Sequence, residues 1–528
     1  MRTWSAFFLL VLLLALNLAA QDDCGPGTTL GPPDPRYHDD KEIAAELLTL
    51  QNSYPGLALR VELQKTYSAP RTHEGRVIHA LKISDNVSRD EDEPAILIVS
   101  NHHARELITP EIALDLGRCL LDGYGKDPAI TARVNANEIW ICPTFNPDGL
   151  AYVFSTNPMW RKNRRNNGGG AYGVDLNRNY PFMFGLCGYS TDPKSDLYQG
   201  PSAASEPETK TMIAFAEQER FAKVMDFHSY ARDVRKPYGC NLCLPPVLCN
   251  YYISVQGTLA SLAGYRKNNS CCGGGHFAYQ VYRNGALSFL TETGTAFQPP
   301  YNEAVAEVAR IRPMLDYFMD LAIPLSGNVR NRLTGEPVEA DMDVAGIQYQ
   351  FKEIRQSEPV FGRYHYFLPP GGFSVTFRAV GYLPVTRPVV IPATGGIVVN
   401  MDLDPSARIT LRGSGRIGTT LFLDLSSTGD ENALYLAGAA LSTQPSQQIL
   451  GRVFPLAPDP LFLASISVPE VFKNTVGTLN AGAMATASVA IPSEPAIAGV
   501  TVYFAFLTAD TTPRVRSVSA PTKVILNK

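Results

Sequence analysis

Short apolar segments separated by longer stretches of mixed polarity dominate the chain between Pro94 and Asp316. Four of these segments have the length of strands and are apolar throughout, as strands buried on both faces of a mixed or parallel sheet are. They are residues 95–99, 138–142, 223–227 and 286–290. The pattern predicts an α/β domain with helices on both faces of the sheet.

Two helix starts can be read between these strands. Thr109-Pro110-Glu111 offers a capping hydroxyl, a proline suited to the first helical position and an acid favoured by the helix dipole. Ser205 and Glu208 have the spacing of a capping box. We therefore predict that helices begin at these two points.

The pattern changes after Pro324 to short strands separated by turns, with strands expected at residues 325–330 and 372–377. This spacing indicates a small β-sandwich. Residues 405–528 also contain strand-like stretches, such as 418–424 and 500–506, but neither His nor Cys. They predict a third, all-β domain that binds a partner or anchors the chain to a surface. No motif in it identifies that partner or surface.

An apolar run over residues 7–18 follows Arg2 and ends before the small pair Ala19-Ala20. The run is too short to cross a bilayer and has the flanks of a secretory signal peptide, residues 1–20. A buried N-terminal helix is the alternative. We predict that the mature chain is secreted, to an extracellular or periplasmic location, and has no transmembrane segment.

Length and charge narrow the range of functions. A chain of 528 residues is too long for one core and favours two to four domains. Its formal net charge of −4 argues against nucleic acid as a partner, because binding phosphates requires an excess of Lys and Arg.

The nine cysteines all precede residue 273. Five of them are close in sequence and predict a local disulfide cluster in an oxidising compartment, namely Cys240, Cys243, Cys249, Cys271 and Cys272. A structural zinc at Cys240-x-x-Cys243 is the alternative. The odd count leaves at least one thiol unpaired or paired between chains, and the connectivity stays open.

Candidate metal ligands follow two of the predicted strands. His103-Ala104-Arg105-Glu106 places a histidine and a carboxylate three residues apart, and His228 follows the strand at 223–227. A lone His-x-x-Glu arises often by chance, but ligands gather beyond the carboxyl ends of such strands. His103, Glu106 and His228 are the three-ligand set of a catalytic Zn²⁺ with an open position for water, one ion per chain.

Further motifs follow in the order Trp160-Arg161-Lys162, residues 174–179 (Val-Asp-Leu-Asn-Arg-Asn) and residues 289–294 (Phe-Leu-Thr-Glu-Thr-Gly). Together with the two histidine motifs they resemble the zinc metallocarboxypeptidase family over about residues 36–322. Asp-Leu-Asn-Arg-Asn is similar to the regulatory branch of that family. Residues 325–404 resemble the transthyretin-like domain that follows the catalytic domain in that branch.

The resemblance implies catalytic roles for two residues. Glu292 matches the general base that takes the proton of the attacking water. Arg161 matches the arginine that stabilises the negative charge developing on the scissile carbonyl oxygen. A surface acid beside a turn and a solvated basic stretch are the alternative readings of these two positions.

The resemblance also implies a site for a free C-terminus. Asn177 and Arg178 match the carboxylate clamp, for which a planar guanidinium is suited, and Arg105 matches a subsidiary arginine. Gly239 matches the glycine at the floor of the side-chain pocket, for which a preference for apolar or small residues is expected. The family's mobile tyrosine has no clear counterpart, and Tyr265 is the nearest candidate.

The leading hypothesis is a secreted zinc carboxypeptidase that acts on the C-termini of peptides or proteins. A peptidase that trims cell-wall peptides would use the same metal site. A catalytically silent binding protein is the third hypothesis, because β domains occupy more than a third of the chain. The silent hypothesis predicts the loss of a metal ligand or of Glu292, and the sequence retains all of them.

Overall fold

The computed structural model describes residues 32–270, 272–512 and 514–528. The predicted signal peptide and Cys271 lie outside these residues. The described chain contains an α/β region followed by two regions made almost entirely of strands. The predicted fold class is therefore confirmed.

A mixed eight-stranded sheet forms the centre of the α/β region. Its strands are β1 (Ala58–Glu62), β2 (His79–Ile83), β3 (Ala95–Ser100), β4 (Glu138–Cys142), β5 (Lys223–Ser229), β6 (Asp233–Lys236), β7 (Arg266–Asn269) and β8 (Leu287–Thr293). They are ordered β1-β2-β4-β3-β5-β8-β6-β7. The central strands β4, β3, β5 and β8 are parallel to one another.

Every residue of β3 and β5 is buried, which means that both faces of the sheet are covered at its centre. The helices of this region are α1 (Asp40–Ser53), α2 (Leu63–Thr66), α3 (Ile108–Gly123), α4 (Pro128–Val134), α5 (Pro147–Ser155), α6 (Pro207–Glu219), α7 (Pro246–Ala263), α8 (His276–Asn284) and α9 (Tyr301–Asp320). Among the described residues, no helix combines the length and the apolar character needed to span a membrane.

The predicted caps of α3 and α6 are wrong. Helix α3 begins at Ile108, and Thr109 lies inside its first turn, where its hydroxyl donates to the carbonyl of Glu106 at 2.9 Å. Helix α6 begins at Pro207 after Glu206, without a side-chain cap. Ser205 donates to the Glu206 carboxylate at 2.6 Å rather than capping the helix.

Two sheets follow the α/β region and form the middle domain. Their strands are β9 (Leu325–Asn331), β10 (Asp341–Val344), β11 (Arg363–Tyr366), β12 (Gly371–Arg378), β13 (Val385–Ile391), β14 (Ile397–Val398) and β15 (Met401–Leu403). One sheet is β10-β12-β13, and the other is built on β9. One apolar core runs without a break from the α/β region into this domain.

The remaining strands form the C-terminal domain, which has separate apolar cores. Its elements are β16 (Ala407–Arg412), β17 (Thr420–Ser427), β18 (Leu434–Ala440), β19 (Gln447–Ile449), β20 (Arg452–Phe454), α10 (Pro460–Ser467), β21 (Phe472–Lys473), β22 (Val476–Thr478), β23 (Met484–Ala490), β24 (Thr501–Ala509), β25 (Val515–Val518) and β26 (Thr522–Ile525). Most of the strands lie in a four-stranded and a five-stranded sheet. The predicted limits of the three domains stay predictions.

Disulfide bonds join Cys187 to Cys240 and Cys243 to Cys249. The predicted cluster is therefore present in part, with one partner recruited from outside it. Because Cys240 and Cys243 are both oxidised, the alternative of a structural zinc at Cys240-x-x-Cys243 is wrong.

Candidate metal centre and active site

The side chains of His103, Glu106 and His228 converge at the carboxyl ends of β3 and β5. His103 Nδ1 lies 2.7 Å from Glu106 Oε1 and 3.0 Å from His228 Nδ1, and His228 Nδ1 lies 3.1 Å from Glu106 Oε2. Two imidazole nitrogens that face each other at this distance share at most one proton, whereas a metal ion accepts both lone pairs. The donor set therefore fits zinc.

A tight turn after β3 brings Glu106 back beside His103. Asn101 adopts a left-handed conformation with φ of 59°, and its side-chain amide donates to the carbonyls of His103 and Ala104 at 3.2 and 3.3 Å. The backbone N–H of Glu106 donates to His103 O at 3.1 Å. The turn orders both ligands before α3 begins.

Asp175 links the metal ligands to two arginines. His103 Nε2 lies 3.1 Å from Asp175 Oδ1, which favours the N–H on Nε2 and would leave the Nδ1 lone pair for a metal ion. Arg161 donates to Asp175 Oδ2 at 2.9 Å, and Arg178 Nη1 lies 3.8 Å from the same oxygen. Asp175 belongs to the Asp-Leu-Asn-Arg-Asn motif, and its place two residues before Asn177 is the sequence signal for this role.

Arg161 lies at the edge of the metal centre. Its Nη1 is 3.9 Å from Glu106 Oε1, and its backbone carbonyl accepts from Ala104 N at 2.9 Å. The guanidinium is 11% exposed and therefore carries its charge in a largely water-free position. Coulomb attraction is stronger there than at an open surface.

Asn177 and Arg178 lie together in a short 3₁₀ helix, Leu176–Arg178. The Asn177 side-chain oxygen accepts from His276 N at 2.9 Å. Arg178 donates from Nε to Gly188 O at 2.6 Å and from Nη1 to Asn177 O at 2.9 Å. These bonds to carbonyl oxygens fix the position of the guanidinium.

Glu292 lies near the end of β8, directly opposite His228 of β5 in the strand register. Its carboxylate is 13% exposed, and Arg235 Nη1 lies 3.4 Å from Oε1. Burial raises the pKa of Glu292 to about 7, and Arg235 partly opposes this rise. A carboxylate with a pKa near neutrality can both accept and return a proton.

Arg105 is fixed at the rim of the site. Its Nη1 donates to Asp196 Oδ2 at 3.1 Å and to Met159 O at 3.4 Å. The guanidinium also lies 4.3 Å from the ring centre of Phe297, within the range of a cation–π contact. A role beside the substrate carboxylate stays a prediction for this residue.

The two remaining candidates are held by local contacts. A Cβ on Gly239 would lie 2.0 Å from the carbonyl oxygen of Cys272, so close backbone packing by itself requires a glycine there. The role of Gly239 in a side-chain pocket stays a prediction. The hydroxyl of Tyr265 is hydrogen-bonded to Glu307 and is therefore already engaged.

Asp226 is a second functional candidate, to which the sequence pattern assigns no role. It lies in β5 two residues before His228 and is completely buried. Residues i and i+2 of a strand point to the same face, so the signal was present in the sequence. The acid had been counted only as part of an apolar strand.

The family model described as zinc carboxypeptidase matches residues 43–310, half of the chain. The chain therefore belongs to the zinc carboxypeptidase family. The predicted family resemblance is confirmed, and membership implies zinc as the metal. The likeness to the regulatory branch stays a prediction.

Curated relatives are named as A-type carboxypeptidases. Carboxypeptidase A2 of Rattus norvegicus is 37% identical over 211 residues, which cover 40% of this chain and 48% of the relative. Metallocarboxypeptidase A of Arthroderma otae is 39% identical over 215 residues, covering 40% of this chain and 49% of the relative. The chain thus spans about half the length of the curated relatives it matches.

Two solved structures are similar to part of the chain. Thrombin activatable fibrinolysis inhibitor is 22% identical with a TM-score of 0.49, covering 54% of this chain and 73% of its own. Carboxypeptidase A from Helicoverpa armigera is 24% identical with a TM-score of 0.48, covering 53% of this chain and 72% of its own.

Proposed function

We propose that the chain is a secreted, zinc-dependent metallocarboxypeptidase that hydrolyses the C-terminal peptide bond of peptides or proteins with a metal-activated water. The convergence of His103 Nδ1, His228 Nδ1 and the Glu106 carboxylate carries the proposal. Glu292 stands beside His228 in the strand register, where an acid–base group is required. Two disulfides support an oxidising compartment.

His103, Glu106 and His228 would hold the zinc ion, which would supply Lewis-acid chemistry for activating a water and the scissile carbonyl. Glu292 accepts the proton of the attacking water and returns it to the leaving amine. Arg161 supplies a fixed positive charge to the carbonyl oxygen as negative charge develops there. Such a preorganised cation contributes on the order of a thousandfold in rate.

Asn177 and Arg178 define the substrate as one with a free C-terminus. The guanidinium matches the planar carboxylate in shape and charge, which an internal peptide bond lacks. The bonds from Arg178 to Gly188 O and Asn177 O hold the side chain in place for this contact. Arg105 and Gly239 are proposed to contribute to the same subsite.

Peptides that share one sequence but end in a free acid or an amide test this function. The purified chain should cleave the free-acid peptide, with activity lost to a chelator and restored by zinc. Arg178→Ala should raise KM for the free acid and leave the poor cleavage of the amide unchanged. Arg178→Lys should be intermediate, because it keeps the charge and loses the planar fork.

Arg412→Ala, an exposed change in the C-terminal domain, serves as the matched control. Equal cleavage of acid and amide by the unaltered chain would refute the carboxypeptidase assignment. Cleavage of peptides that differ only in their last side chain would show which side chains the pocket prefers.

A further inference from the structure

Asp226 places one buried carboxylate among three imidazoles directly behind the metal centre. Its Oδ1 lies 3.3 Å from His228 Nε2 and 3.1 Å from His102 Nδ1, and its Oδ2 lies 3.0 Å from His276 Nδ1. Asp226, His102 and His276 are completely buried, and His228 is 1% exposed. The positions of the ring protons therefore decide what this cluster does.

The proton of His276 can be assigned from a backbone group. Asn284 Nδ2 donates to the backbone carbonyl of Ala216 and to Gln280 Oε1, both at 3.0 Å. This fixes the Gln280 amide so that its Nε2 donates to His276 Nε2 at 2.9 Å. His276 must then carry its proton on Nδ1, which donates to Asp226 Oδ2.

His102 receives its orientation in the same way. The hydroxyl of Tyr180 lies 3.4 Å from His102 Nε2. Burial raises the pKa of Tyr180 well above its usual value, so the hydroxyl stays protonated and can donate. His102 then keeps its proton on Nδ1, toward Asp226 Oδ1. His276 thus donates to Asp226 Oδ2, and His102 presents an N–H 3.1 Å from Oδ1 in a contact that is not well aligned.

His228 Nε2 faces two competing groups. Besides Asp226 Oδ1, it meets Asn177 Nδ2 at 3.3 Å. Asn177 would favour a lone pair on Nε2, because its own oxygen already accepts from His276 N and its amide nitrogen can only donate. Asp226 favours an N–H on Nε2, and an ionised acceptor outweighs a neutral amide.

We propose that Asp226 is the positioning residue of His228: fixed between His102 and His276, its carboxylate faces His228 Nε2 at 3.3 Å, favours the proton on that nitrogen and so leaves Nδ1 free for zinc. Asp175 stands in the same relation to His103. Each histidine ligand is thereby oriented by its own buried carboxylate. The inference rests on the zinc site of the proposed function, but it concerns metal binding rather than turnover.

A second metal ion held by His102, Asp226 and His276 is the competing explanation, since their ligand atoms lie within 4.8 Å of one another. His102 Nδ1 and Asp226 Oδ1 also lack a well-aligned hydrogen bond. Such an ion would take the Nδ1 lone pair of His276 and move its proton to Nε2. That proton would then meet the N–H of Gln280, which is fixed by Asn284, so the structure favours the hydrogen-bonded cluster.

Asp226→Asn tests the proposal, because it removes the charge and keeps the shape. The zinc dissociation constant, measured by competition with a chelator, should rise about 10- to 100-fold. Asp148→Asn is the matched control: Asp148 is equally buried and accepts from Thr72, Glu74 N and Arg76, at a site without zinc ligands. It should lower the melting temperature of the zinc-free protein and leave zinc affinity unchanged.

Gln280→Leu and a spectroscopic measurement cover the case in which Asp226→Asn fails to fold. Gln280→Leu frees His276 to change its tautomer and should weaken zinc binding by less than Asp226→Asn does. In the unaltered zinc-loaded protein, the Nε2 proton of His228 should give a downfield NMR resonance protected from exchange.

Three results would overturn the proposal. The first is unaltered zinc affinity in Asp226→Asn with only a lower melting temperature. The second is a His228 Nε2 proton that exchanges as freely as one in water. The third is a second zinc per chain that is lost in Asp226→Asn. A chain that binds zinc as expected but cleaves no peptide would instead refute the proposed function and leave this inference intact.

Discussion

Glu292 owes its suitability as a base to its position in β8. The strand buries its carboxylate and places it across from His228. Glu292→Gln should therefore retain zinc and the melting temperature while turnover falls by several orders of magnitude, because only the proton acceptor is removed. Metal analysis and single-turnover kinetics would check this. Turnover near that of the unaltered chain would place the base elsewhere.

Arg235 should set the pH at which Glu292 becomes active. Burial raises the pKa of Glu292 to about 7, and the positive charge of Arg235 lowers it. As the base must be ionised, kcat/KM rises with pH through this pKa. Removing the cation in Arg235→Leu raises the pKa, so the rising limb should move to higher pH.

Arg235→Lys keeps the positive charge and is the control for this measurement. The rising limb of its pH profile should lie close to that of the unaltered chain. A full pH profile of kcat/KM for the three proteins is required. A limb that moves to lower pH in Arg235→Leu would contradict the assignment of Arg235 to Glu292.

The candidate metal ligands could be predicted from the sequence because their spacing and the strands that precede them were both recognisable there. Asp175 and Asp226 were not, for different reasons. Asp175 was hidden inside a motif whose neighbours matched known roles. Asp226 contacts His102 and His276, which are distant from it in sequence. No local sequence pattern therefore predicts these contacts.

Among the elements, the segment closed by the Cys187–Cys240 disulfide supports the proposed carboxylate clamp, since Gly188 O accepts from Arg178. Replacing both cysteines with Ser should raise KM for free-acid peptides more than it lowers kcat. The bond closes a separation of 53 residues, for which chain entropy predicts a loss of about 4 kcal/mol.

The Cys243–Cys249 disulfide is the internal comparison. It closes a separation of only 6 residues, for which the same relation predicts a loss of about 2 kcal/mol. Its removal should leave KM unchanged. Peptide kinetics and urea unfolding of both double variants would test these expectations. Equal effects of the two variants on KM would contradict the role assigned to Gly188.

Strands were predicted more successfully than helix starts. The four predicted strands of the sheet are present as β3, β4, β5 and β8, because a continuous apolar run has few other ways to be buried. The caps failed because Thr109 and Ser205 found other acceptors, Glu106 O and the Glu206 carboxylate. Local capping preferences amount to about 1 kcal/mol and give way to such contacts.

In the molecule as a whole, the middle domain completes the end of α8. Arg355 donates to Val281 O at 2.9 Å, Ile354 N donates to Tyr282 O at 2.9 Å, and His365 Nε2 lies 2.9 Å from Asn284 O. The last carbonyls of a helix have no partners within it. Helix α8 carries His276, so the middle domain supports the cluster around Asp226.

Truncation should therefore distinguish the two β domains. A chain ending after Asp404 keeps the core shared by the α/β region and the middle domain and should fold and bind zinc. A chain ending after Ala322 exposes part of that core and should aggregate or melt at a much lower temperature. Thermal unfolding and limited proteolysis would check both. A stable, zinc-binding chain ending at Ala322 would contradict the shared core.

The groups of the middle domain that hydrogen-bond the last carbonyls of α8 also limit where genetic recombination can join this chain to another. A genetic crossover near Pro324 would separate α8 from Ile354, Arg355 and His365, and a foreign middle domain would have to bring matching groups in register. A crossover near Pro405 divides the chain between separate cores. Lineages that exchange modules at this second junction would keep the candidate metal site intact, while those that exchange at the first would have to change α8 and its supporting groups together.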